Sequence, residues 1–151
     1  MSSQQDDLLA RELGKVGLLG GAIGGGAAGA MGGSLGASFA ARFLPTEQYQ
    51  QQVRVSRDAA TVFTQLYFFL TKQGRIADER EAGASQFPKI SSVIGSGFLK
   101  MNPTVVHVEV VGVDKGSCML LVSGAAKEGL IKQRSAEKAV SRVVEFLRAI
   151  S

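Results

Sequence analysis

Gly17, Gly21, Gly25, Gly29 and Gly33 recur every four residues inside residues 16–41, a run of 26 positions without a charge. Few folds accept such a run. A soluble helix resists it, because each interior glycine costs about 1 kcal/mol relative to alanine. In lipid the same spacing gives a smooth groove that lets another helix approach closely. A second ladder, Leu19, Ile23, Ala27, Met31, Leu35 and Phe39, is offset by two residues. Two residues is about 200° of helical turn, so the bulky ladder lies opposite the smooth one. Gly20, Gly24, Ala28, Gly32 and Gly36 widen the smooth face.

The run is long enough for one crossing, roughly 39 Å against a ~30 Å hydrocarbon core. Its apolarity is marginal. Seven large apolar residues contribute only about −2 to −4 kcal/mol of insertion free energy, against ten glycines and two serines. A partner helix on the flat face, or a second copy of this chain, therefore explains the run better than a solitary span does. With Asp6 and Asp7 near its start and Pro45 as its stop, one helix over about 3–44 is expected. Competing readings are a flexible linker, an extended stack and a phosphate-binding loop. Linkers are richer in polar residues. The loop match, Gly24-Gly25-Gly26-Ala27-Ala28-Gly29, is cheap where 11 of 19 glycines fall between Gly14 and Gly36. The glycine ladder resembles the glycine-zipper segments of membrane proteins over about residues 14–36. That resemblance implies a single-pass membrane protein, and Lys/Arg placement favours a cytoplasmic C-terminal domain. The acidic start does not read as a signal peptide.

Residues 46–51 are polar and glutamine-rich and read as a linker. Residues 52–151 read as an α+β domain of order β-α-β-β-β-β-α: an antiparallel sheet with two helices on one face. Strands are expected over 52–56, 75–82, 90–100, 104–113 and 117–126, with Asn102-Pro103 and Asp114-Lys115-Gly116 as turns. A helix from Ser56 or Asp58 to Gln73 buries Ala59, Val62, Phe63, Leu66, Phe69 and Leu70, and by the same spacing Tyr67 and Phe68 are mostly core. The last helix, capped by Ser135, buries Ala136, Val140, Val143, Val144, Leu147 and Ile150. This order, with Phe98-Leu99-Lys100 leading into 105–111, then Ser123-Gly124, Gly129 and a C-terminal helix, resembles small uncharacterised bacterial domains with helix-grip or TATA-binding-protein-like sheets. The resemblance implies a fold and no active-site residues.

Chemistry is sparse. His107 and Cys118 are single in the chain, and on paired strands they fall about 16 Å apart. That spacing excludes a Cys–His nucleophile pair in the hairpin and leaves no set of metal ligands. Asp78, Glu79 and Glu81 beside Arg80 read as a solvated edge. The lone cysteine allows no internal disulfide. Net charge is +4, with Lys127, Lys132, Arg134, Lys138, Arg142 and Arg148 gathered near the C-terminus. They read as an exposed helix face, or more sharply as a weak contact for anionic headgroups. Without interleaved aromatic residues, nucleic acid is an unlikely partner. Gly95 and Gly97 permit curvature in the sheet, which leaves room for a small apolar ligand between sheet and helix. The expectation is a non-enzymatic membrane-associated protein, without cofactor or metal, whose glycine helix packs on a partner and tethers the α+β domain. The alternatives are a small-ligand or lipid-binding module with a simple anchor, and a structural subunit of a soluble assembly.

Overall fold

A computed structural model describes Leu9, residues 11–13, Lys15, and residues 44–77, 88–96, 102–128 and 133–151. The element order is β1 (Thr46–Val55), α1 (Ala59–Gln73), β2 (Gly74–Ile76), β3 (Lys89–Ser96), β4 (Asn102–Asp114), β5 (Ser117–Lys127) and α2 (Ser135–Ala149). The strands form one antiparallel sheet in the order β1-β5-β4-β3-β2. The α+β class and the element order are those expected from the sequence. The glycine ladders, Gly97, residues 78–82, Phe98-Leu99-Lys100, Gly129 and Lys132 lie outside the described residues. Among the described residues no helix is long and apolar enough to cross a membrane.

Period-two patterning decides which side chains meet the helices. Val106, Val108 and Val110 of β4, with Cys118, Leu120 and Val122 of β5 and Val53 and Val55 of β1, point to one side. There they pack on Val62, Leu66 and Leu70 of α1 and on Val140, Val143, Val144 and Leu147 of α2. The helices meet where Phe69 stacks on Phe146, ring centroids 4.2 Å apart. Both apolar stripes are thus the ones read from the sequence. Tyr67 and Phe68 are not core: they are 49% and 62% exposed and touch each other edge to face. A helical stripe this narrow reaches only one of three consecutive aromatic residues.

α1 begins at the expected cap, Asp58, whose carboxylate accepts from Thr61 N–H at 2.9 Å. α2 does not. Its cap position is Arg134, in the left-handed region at φ 54°, with no side-chain cap bond of its own, and Ser135 is already helical. The orphan N–H groups are met from a distance. Ser135 N–H donates to Glu128 Oε1 at 2.9 Å, Gln133 N–H to Glu128 Oε2 at 3.1 Å, and Ala136 N–H to Glu47 Oε2 at 2.8 Å. These acceptors satisfy donors that a local serine cap would have served.

Two further departures concern strand ends. β1 starts at Thr46, so residues 46–51, expected as a linker, are ladder residues paired with β5 from Val122 to Lys127. Asn102-Pro103, expected as a turn, opens β4, with Pro103 opposite Gly95. On the other sheet face Leu9 is fully buried against Ala77, Val93, Val105 and Ala125. The helical residues Leu9, 11–13 and Lys15 therefore belong to the folded body. Arg75 and Lys15 both pair with Glu12 there.

Candidate functional site: a cleft between the C-terminal helix and the sheet

The small residue Gly124 sets how closely α2 can lie on the sheet. A Cβ at Gly124 would stand 2.7 Å from Val140 Cγ2 and 3.2 Å from the Ala136 carbonyl oxygen. α2 is pressed down there, over β5 and β1. Towards β3 it stands off, and a half-open cleft of about 410 Å³ remains. Its walls come from three elements: Ile94 and Gly95 of β3, Thr104 of β4, and Ser135, Lys138, Ala139 and Arg142 of α2, with Gln133 at one end. The volume lies within the ~300–1,000 Å³ of ordinary ligand pockets.

Thr104 forms the floor. It sits in the helix-facing row Thr104, Val106, Val108, Val110, where every other member is apolar. It is fully buried, and among the described residues its hydroxyl has no hydrogen-bond partner. An unpaired buried hydroxyl costs about 1–3 kcal/mol, and the residue that carries it lines the cleft. Lys138 and Arg142, four residues apart, rise on the same side of α2. Both are exposed, and among the described residues neither is held in an ion pair. The arrangement combines an apolar wall, one hydroxyl at depth and two cations at the mouth.

The other basic residues expected to act together are dispersed. Lys127 donates to Thr46 Oγ1 at 2.7 Å, Arg134 pairs with Glu137 at 2.6 Å, and Arg148 is exposed. Sequence reasoning named Lys138 and Arg142 only as part of an outer face. It missed Thr104, although a threonine in a row of valines is a signal that period-two reading can supply.

His107 and Cys118 lie on opposite sheet faces. His107 pairs with Ser123 as expected, but its side chain is on the Leu9 side, where Nδ1 and Ser91 Oγ are 2.5 Å apart. Cys118 is buried on the helix side. It stands opposite Val113 rather than the expected Gly112, because an irregularity between Val110 and Gly112 shifts the register by one. Burial pushes the Cys118 thiol up, and the Asp58 charge adds to this, which leaves it a poor nucleophile. No cluster of three potential metal ligands forms among the described residues.

Glu47 and Glu128 meet at the start of α2. Burial raises Glu47 above the usual carboxylate range; the Ala136 N–H opposes this and the neighbouring Glu128 reinforces it. Burial also acts to raise Glu128, but the Ser135 N–H, the Glu47 carboxyl and the Gln133 N–H outweigh it and hold it low. The two neighbouring carboxyl groups are thus pushed in opposite directions, Glu47 up and Glu128 down.

No family model matches the chain, and no curated protein does. Among solved structures, the chain is similar to an uncharacterised protein from Bacillus thuringiensis (9% identity, 69% of this chain and 95% of that one, TM-score 0.37). It is also similar to a START superfamily protein from Mycobacterium smegmatis (10% identity, 68% and 92%, TM-score 0.38). A third is norcoclaurine synthase from Thalictrum flavum (11% identity, 72% and 90%, TM-score 0.38). Similarity at this level assigns neither family nor activity.

Proposed function

We propose that the α+β domain is a non-enzymatic module that binds one small molecule in the cleft between α2 and β3–β4. The observation that carries this reading is Thr104, which lines a space of about 410 Å³ and whose buried hydroxyl has no partner among the described residues. A folded chain retains such a cost where something else satisfies the group. A ligand with an acceptor or donor at that depth would do so, and Ile94 and Ala139 would enclose its apolar part. The test is a titration of the full chain with octanoate, followed through the methyl resonances of Ile94, Thr104 and Ala139. Saturable shifts centred on these methyls support the reading. Shifts confined to other methyls, or none, refute it.

The uncharged run 16–41 favours a second element, a membrane tether formed by the glycine-ladder helix. Membrane fractionation with a carbonate wash tests it: a tethered chain stays in the pellet, and full release into the wash counts against the tether.

A further inference from the structure

We infer that the ligand is an amphipathic acid, whose single anionic head is received by Lys138 and Arg142 and whose short apolar body lies against Ile94 and Ala139. This rests on the cleft being a binding site and adds the chemical class of what it takes. Three features point to it.

The first is the placement of charge. Among the described residues, Lys138 and Arg142 are the charged ones that line the cleft. The acidic residues of the same helix are turned elsewhere. Glu137 is occupied by Arg134, and Glu145 lines the outer groove of α2, which Lys138 and Arg142 also border, but not the cleft. The second is the state of α2's N-terminus. In many anion sites the helix N–H groups do the binding, but here Glu47 and Glu128 already hold those of Ser135 and Ala136. An incoming anion must therefore be met by side chains, and a lysine and an arginine one helical turn apart can both reach one head group. The third is depth. Lys138 and Arg142 are exposed, whereas Ile94, Thr104 and Ala139, which line the same cleft, are buried. A wholly polar anion would satisfy the mouth and leave the apolar wall wet. A wholly apolar ligand would leave the two cations unused. A body with an acidic head and an apolar tail matches the order in which the groups occur. Carboxylates and phosphate esters share this head-group chemistry.

Octanoate and octanol, which differ at the head group, separate the inference from the reading beneath it. The full chain is titrated with each and followed through the Ile94, Thr104 and Ala139 methyls. Octanoate should bind at least about tenfold more tightly, as charge-assisted contacts imply, and about 1 M salt should shrink the difference. The double variant Lys138→Gln/Arg142→Gln, altered only at exposed positions, should lose the preference, its octanoate affinity falling to that of octanol for the same variant. Equal binding of the two ligands in the wild type would overturn the inference and leave the cleft a binding site. Preference retained in the double variant would overturn it too. If neither ligand moves the cleft methyls, the binding reading itself falls and takes the inference with it. Hexyl phosphate in the same titration shows which head group is favoured. Both alkyl anions binding more tightly than octanol supports the shared chemistry, and neither doing so refutes it.

Discussion

Gly124→Ala tests the packing that creates the cleft. The added methyl would lie 2.7 Å from Val140 Cγ2, well inside the ~3.5–4.0 Å at which carbon atoms pack comfortably. It would also press on the Ala136 carbonyl at 3.2 Å. Val140 is fully buried and cannot swing clear, so α2 must lift. Overpacking of this kind costs about 1–3 kcal/mol. Removing a glycine from the unfolded chain returns about 0.4–1 kcal/mol. The expected net loss is therefore about 1–2 kcal/mol. Val140→Ala alone should cost about 2 kcal/mol through lost burial and the space left behind. In the double variant the new methyl occupies part of that space, so the two losses should fall short of additive by about 1 kcal/mol or more. Urea unfolding of the four proteins at a common m-value measures each term. Additivity within about 0.5 kcal/mol, or a Gly124→Ala variant as stable as the parent, would refute the argument that this contact sets the height of α2.

Other perturbations address separate parts of the account. Thr104→Val removes the unpartnered hydroxyl, so it should raise stability without ligand by about 1 kcal/mol; a loss of stability in urea would mean the hydroxyl is satisfied in the native protein. Leu9→Ala should cost about 2 kcal/mol or more, because Leu9 is fully buried on the sheet; an unchanged urea midpoint would detach the N-terminal turn from the folded body. Glu47 and Glu128 predict opposing pH limbs around the ordinary carboxylate value of 4.5. Glu128, held low, contributes stability that is complete above 4.5 and fades as pH falls through its folded value. Glu47, held high, binds its proton more tightly when folded, so its contribution is present below 4.5 and is lost as pH rises through its folded value. Glu47→Gln imitates the protonated acid and should therefore stabilise the protein at pH 7 but not below pH 4.5; an equal effect at both pH values in urea would refute the upward shift of Glu47.

The parts of the fold that were legible in the sequence are those carried by local period. Val62, Leu66 and Leu70 at helical spacing and Val106, Val108 and Val110 at strand spacing each name their own buried face. β1 was half hidden because Glu47, Tyr49 and Gln51, its helix-facing residues, are not the apolar set that marks a strand. Its hydrogen bonds come from β5, about 70 residues later in the chain, and no local pattern announces them. The cap of α2 was misread for the same reason. Ser135 has the right chemistry, but Glu47, 89 residues from Ala136, supplies the acceptor. The cleft is further from the sequence still. Thr104 is visible as one hydroxyl in a valine row, and Lys138 and Arg142 as an i, i+4 pair, but only the β3–β4 pairing and the stand-off of α2 put them together.

Intermolecular nuclear Overhauser effects between octanoate and the full chain bear most directly on the proposed site. The account predicts contacts from the ligand's methylene chain to the methyls of Ile94, Thr104 and Ala139, lost when excess ligand is removed. Contacts instead to the exposed rings of Tyr67 and Phe68, or none at a saturating concentration, would contradict it.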